Sequence, residues 1–238
     1  TYSTWPAGSN ALWVVNAGAA TLAQYKPSQL QQSGAPQATA TIGTGSVSLA
    51  AALDAEGRIW VSNFLDATVA AYSPAQLVGG GTPTPVVTLS GSALNDARGL
   101  VFDANGNLWV AERSLGTVIE YSASQLVDGG NVTPNITLSG TAFNGPAGLA
   151  FDDSGNLWVT NSWGGTVVEL TPDQLTASST PTPAVTISNS AILAPMGIAF
   201  DVNGVMWLTN PSVPGNTIVG YTATQQNTGG DLAPAYTI

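Results

Sequence analysis

Five polar residues of closely related type recur at one place in the text. Asn16, Asn63, Glu112, Asn161 and Asn210 each stand three residues after a tryptophan. Amide and carboxylate oxygens are the donors that hard cations such as Ca2+ and Mg2+ take, and Glu112 is the one member that a raised pKa would turn into a base. If Asp103 pairs with Leu108 across a four-residue turn, Glu112 falls opposite Gly99, Asn161 opposite Gly148, Asn210 opposite Gly197 and Asn63 opposite Ala50. Arg98 precedes Gly99, so it is expected at the same rim, within ion-pair reach of Glu112. Two readings compete. In the first, Asn16, Asn63, Glu112, Asn161, Asn210 and Arg98 bind a ligand or a cation at a channel mouth. In the second, each asparagine bonds the backbone of the turn that follows it, a habit of Asn side chains.

Other chemistry finds little support. The chain of 238 residues has no histidine and no cysteine, which removes the usual neutral-pH base and any thiolate metal site or disulfide. It has no nucleophile elbow and no phosphate-cradling glycine loop. The aspartates Asp54, Asp103, Asp152 and Asp201 lack the multiple acids of an EF-hand loop and read as turn formers. Trp5, Phe64 and Trp163 are candidate sugar-stacking platforms, or partial core. No catalytic residue and no resident cofactor are predicted, with Ca2+ or Mg2+ the ions the rim would take.

Charge narrows the partners. Fourteen acids against four bases (Lys26, Arg58, Arg98 and Arg113) give a formal charge of −10, which opposes binding to a phosphate backbone. No apolar run is long enough to span a bilayer, and no signal-peptide pattern opens the sequence. Only 8% of the residues are charged while 44% are hydrophobic, so Ser, Thr, Asn and Gly must do the solvating. Few lysines, no cysteine and neutral polar faces suit an extracellular, cell-surface or periplasmic place. Asn131 and Asn135 each open a glycosylation acceptor pattern.

What positions these residues is a repeat. Trp13, Trp60, Trp109, Trp158 and Trp207 are separated by 47, 49, 49 and 49 residues, and GLVFDANGNLWVAE, GLAFDDSGNLWVTN and GIAFDVNGVMWLTN align without gaps. Each unit reads as four strands. In the fourth unit these are a buried run from Gly148, a turn at Asp152 to Asn156, a second strand at 157 to 161, a third at 166 to 170 and an outer strand at 184 to 187. Ser73-Pro74 and Thr171-Pro172 open short helical turns ending in Gln-Leu. Such units repeated radially predict one all-β domain over 1–238, a β-propeller of five four-stranded blades at about 1–47, 48–96, 97–145, 146–194 and 195–238. The repeat tryptophans should be buried between blades, and the ring should close with residues 1 to 10 beside 231 to 238. TYSTWPAGSN stands where the first unit's opening strand belongs, which leaves a six-bladed ring with part missing as the alternative.

The pattern Gly-Leu/Ile-Ala-Phe-Asp-x-x-Gly-Asn-Leu-Trp-Val-x-Asn/Glu resembles the NHL repeat and its relatives, the virginiamycin B lyase-like and gluconolactonase-like propellers. That resemblance covers nearly the whole chain and implies the propeller fold. On activity it implies either a protein-binding module or an enzyme: gluconolactonase-like members hold a divalent metal with Glu, Asn and Asp, and the lyases use a histidine this chain lacks. The sequence therefore predicts a secreted or cell-surface non-catalytic propeller that meets a protein partner, a surface glycan or further copies of itself. The alternative is a metal-assisted lactonase or lyase working at the channel mouth.

Overall fold

A computed structural model describes residues 11–31, 33–211 and 216–238. Five small antiparallel sheets stand in a ring and form a five-bladed β-propeller. The third blade shows the plan: inner strand Ala97–Phe102, then Leu108–Glu112, Thr117–Tyr121 and the outer strand Ile136–Leu138, each hydrogen-bonded to the next. The second blade runs Ser48–Leu53, Ile59–Asn63, Thr68–Tyr72 and Val87–Ser90, and the fourth Pro146–Phe151, Leu157–Asn161, Thr166–Leu170 and Val185–Ser188. The fifth has Ile198–Phe200, Met206–Asn210, Thr217–Tyr221 and Tyr236–Thr237. In the first, Leu12–Asn16, Thr21–Tyr25 and Ala40–Gly43 form three strands. Its expected opening strand, and with it the expected closure by residues 1 to 10, lies outside the described residues.

Alternation decides what faces what. In Leu157–Asn161, Trp158 points at the fifth blade, where its ring meets Phe200 edge-on at 6.2 Å, while Leu157 and Val159 point back at the third. Trp60 meets Phe102 and Trp109 meets Phe151 in the same way. Trp60, Trp109 and Trp158 are fully buried; Trp13 and Trp207, on the first and last blades, are half-buried. Four core clusters join blades one and two, two and three, three and four, and four and five. Among the described residues no such cluster joins blade five to blade one.

Two local devices hold each unit. The turn aspartate does more than form its turn: Asp152 accepts from the Ser154 and Asn156 amides, from Asn156 Nδ2 and, at 3.0 Å, from the Trp158 indole N–H. Asp103 and Trp109 repeat this bond, as do Asp54 with Trp60 and Asp201 with Trp207. The Asp-x-x-Gly-x-x-Trp spacing thus ties the buried ring to the turn. In the short helical turns the predicted Ser and Thr caps are in place, closed as capping boxes by Gln76, Gln174 and Gln225. The same glutamines then donate from Nε2 to carbonyls eight residues on, at Thr84, Thr182 and Ala233, which fixes the path to the outer strand.

The outer strands of the first four blades also take a parallel neighbour from the following unit, as single bridges at Ile42 with Gly81 and Leu138 with Ser179 and as strand pairs in the other two. Gly130–Asn131 pairs with Val87–Ser90 and Gly230–Asp231 with Val185–Ser188, stitching the blades at the circumference. At the axis, glycine is required. A side chain on Gly148 would run into the Met196 carbonyl, just before the next inner strand, and one on Gly99 into that of Ala147.

Candidate functional site at the rim of the third blade

The register at the rim differs from the one expected. Phe102, rather than Asp103, faces Leu108, and a bulge between Ala97 and Leu100 shifts the pairing again, so Ala97 lies opposite Glu112. The same bulge sets Ser48 opposite Asn63 and Pro146 opposite Asn161. The extra residue re-aims the chain as it enters the inner strand, and this changes what the ring of polar residues does.

Asn63, Glu112, Asn161 and Asn210 are buried, while Asn16 is exposed at the end of its strand. The buried four bond to the start of their own unit's inner strand or the loop entering it, and the three asparagines also donate to the threonine just past the turn that follows. Asn210 Oδ1 accepts from the Leu193 and Ala194 amides, and its Nδ2 donates to the Ala191 carbonyl at 2.7 Å. Asn161 accepts from the Asn144 amide and donates to the Ala142 carbonyl and to Thr166 Oγ1. Asn63 accepts from the Ser48 hydroxyl. Each is a latch between two strands of one blade.

Glu112 fills the same place with one oxygen too many. Its Oε2 accepts from the Asn95 and Asp96 amides at 3.0 and 2.9 Å, but Oε1 is buried with no partner. Burial pushes the Glu112 carboxyl up to about 7, against the lowering effect of those two amide bonds. The group is thus half-protonated near neutral pH.

The acid that holds Arg98 is Asp96, not Glu112. Arg98 Nε lies 2.5 Å from Asp96 Oδ1, Arg113 Nε 2.8 Å from Oδ2, and Ser114 Oγ donates to Oδ2. Burial works against the Asp96 charge, yet the bonds from Arg98, Arg113 and Ser114 outweigh it and hold its carboxyl below the usual range. Each guanidinium also covers an aromatic ring of a neighbouring blade: Arg98 sits 5.0 Å over Phe64 and Arg113 5.3 Å over Trp163. A strip therefore crosses three blades in the order Phe64, Arg98, Asp96, Arg113, Trp163. It holds two of the four basic residues of an acidic chain. Trp163 is 58% exposed, and Leu65 and Leu115, in the equivalent turns, are exposed too. Asp96 lies outside the repeated motif, and its place among Asn95, Ala97 and Arg98 gave the sequence reading no periodic signal.

Among the described residues, no group of three or more acidic, histidine or cysteine side chains could hold a metal ion. No described helix is long and apolar enough to cross a membrane. Known proteins bear on the fold. The family model described as NHL repeat matches residues 143–170, the inner, second and third strands of the fourth blade. The chain is a β-propeller whose fourth blade matches the NHL repeat. No curated protein matches the chain in sequence. Among solved structures it resembles a streptogramin B lyase, with a TM-score of 0.65 and 14% identity over 97% of this chain and 68% of that one. Virginiamycin B lyase from Staphylococcus aureus gives 0.61 and 12%, over 94% of this chain and 67% of that one. A putative 6-phosphogluconolactonase from Bacteroides uniformis gives 0.63 and 14%, over 95% and 66%. The chain spans about two thirds of the length of these structures, and at such identities the likeness is one of fold.

Proposed function

We propose that this propeller is a non-catalytic protein-binding module of an extracytoplasmic compartment, and that it meets its partner through the rim strip of the third blade. The observation that carries this reading is Arg113, held between the Asp96 carboxylate and the half-exposed face of Trp163. Tryptophan and arginine dominate binding energy at protein interfaces when they are held in place before the partner arrives. Here a buried acid fixes both guanidiniums by their Nε atoms, leaving the Arg113 terminal nitrogens for a partner's carboxylate. Trp163, Leu65 and Leu115 supply apolar surface beside them. Low charge and the absence of cysteine and lysine-rich faces support the compartment.

The alternative, a metal-assisted lactonase or lyase, would have to work through Glu112. Glu112 has no exposed surface and spends one oxygen on the Asn95 and Asp96 amides. Affinity capture from the source organism with the unaltered chain and with Trp163→Ala tests the proposal. A protein retained by the first and lost by the second, at equal melting temperature, is the expected result; the same proteins on both would overturn it.

A further inference from the structure

The hairpin turns lie at the end of the strands opposite the rim, and there the molecule opens a cleft of about 1040 Å3. Between the third and fourth blades its walls include Trp109, Ile136, Phe151 and Leu175. Trp109 is buried and meets Phe151 edge-on at 6.4 Å, so this part of the cleft is apolar and aromatic.

Glu120 is set into those walls. It lies between Trp109 and Ile136 across the sheet, in the place that Ala71 takes in the second blade, and only 1% of its surface is exposed. At the junction of the second and third blades, Ala71 and Leu126 are buried in one core cluster; at the next junction Leu175, the counterpart of Leu126, is only half-buried. A carboxyl group thus stands where the second blade has apolar core. Its Oε2 accepts from Asn135 Nδ2 at 2.9 Å. Oε1 accepts no hydrogen bond among the described residues, and unlike Glu112 Oε1 it is not sealed from solvent. Burial and the nearby Asp103 charge raise the Glu120 carboxyl above its usual range, against the lowering effect of the Asn135 bond. A buried ionised carboxylate with a free oxygen is costly until a cation pairs with it.

The other acids of the cleft supply field rather than contacts. Asp103 and Asp152 already accept from their own turn amides, from the Asn107 and Asn156 side chains and from the indoles of Trp109 and Trp158. Asp153 is exposed on the lining, and no basic residue lines the cleft. The free acceptor inside is therefore a single oxygen. A guanidinium fork needs two parallel acceptors to use its geometry, whereas an ammonium is a point charge that one carboxylate oxygen satisfies. An alkyl stem suits the rest, since its methylenes can lie along Phe151 and Leu175 while aromatic rings draw the charge.

We infer that the cleft between the third and fourth blades binds a primary alkylammonium group through Glu120, whether on a free amine or on a lysine side chain. The site lies at the opposite end of the strand Leu108–Glu112 from Arg113 and Trp163, and each site stands without the other.

Calorimetric titration with n-pentylamine at low salt and pH 8 tests the site, with n-pentanol as the uncharged match and Nα-acetyl-lysine amide as the side-chain mimic. Saturable binding of n-pentylamine is expected, weakened about tenfold or more by Glu120→Gln, as loss of a charge-assisted bond does. Glu169→Gln should leave it unchanged, because that carboxyl holds the equivalent place in the fourth blade, outside the cleft. Thr176→Arg adds a cation at an exposed residue of the lining and should weaken binding too, with the Glu120–Asn135 pair left as it is. Binding of the lysine amide as well assigns a lysine side chain to the site, and binding of n-pentylamine alone assigns a free amine; both uphold the inference. No saturable binding of either amine, equal affinity for n-pentanol, or an affinity untouched by both Glu120→Gln and Thr176→Arg would overturn it.

Discussion

Glu112 and Asn161 hold equivalent places in successive blades, and where Asn161 Nδ2 donates to the Ala142 carbonyl at 2.9 Å, Glu112 presents an oxygen with no partner. The carbonyl at the corresponding position of the third blade, one period of 49 residues earlier, is that of Ala93. An ionised carboxylate has no hydrogen to offer a carbonyl in that place, whereas a protonated one, like the amide, has one.

That relationship fixes the sign of a pH effect. The Glu112 carboxyl is raised to about 7 in the folded chain, against an ordinary value near 4.5. The folded state therefore holds its proton more tightly, and stability falls as pH rises through the window from about 4.5 to about 7, by up to about 3 kcal/mol. The Asp96 carboxyl is shifted the other way, so its contribution is present above its ordinary range and is lost only at lower pH. Glu112→Gln should remove the Glu112 slope. Urea unfolding at pH 5 and pH 8 is expected to show the variant close to wild type at pH 5 and more stable at pH 8, and equal slopes for the two chains would contradict the latch.

Much of the fold is legible from the tryptophan period and the turn chemistry between strands. The second and third strands run as expected at Leu157–Asn161 and Thr166–Leu170. The Ser73-Pro74 cap is there, while the paired role of Gln76 emerges only from the path of the chain beyond it. The rim was less legible because a bulge leaves no mark in composition: it moved Ala97 into the place expected for Gly99 and left Arg98 to Asp96. The parallel pairing of Gly130–Asn131 was invisible as well, since it is a backbone contact between distant segments and asks nothing of the side chains.

The junctions between blades should carry most of the stability. Trp158→Ala empties a site packed against Phe200 and should cost about 3–5 kcal/mol. Trp207→Ala removes a half-buried ring that stacks on Tyr236 of its own blade, and should cost about 1–2 kcal/mol on the area it covers. Thermal unfolding of the two variants checks the order, and equal losses would mean that the fifth blade is packed on both sides.

Backbone strain is distributed unevenly among the turns that lead to the third strands. Gly116 and Gly165 take positive φ there, at 63° and 60°, and Ala67 is held at 51° in the equivalent turn. Ala67→Gly should therefore raise stability by about 1 kcal/mol. Gly165→Ala should lower it, because the added carbon would also come within 2.9 Å of the Ile192 carbonyl. A melting temperature that falls in the first variant would show that Ala67 makes contacts worth more than its strain.

The functional account separates two neighbours at one rim: Glu112 serves the blade, while Arg113 and Trp163 serve a partner. The measurement that tests this most directly is the dissociation constant of the captured partner for the unaltered chain, Glu112→Gln and Trp163→Ala, taken at pH 7 and at a temperature where all three are fully folded. The account predicts that Trp163→Ala weakens binding by about tenfold or more, as loss of an anchoring aromatic does, while Glu112→Gln binds as the unaltered chain does. Binding lost with Glu112→Gln and kept with Trp163→Ala would contradict it and move the functional site to the buried carboxylate.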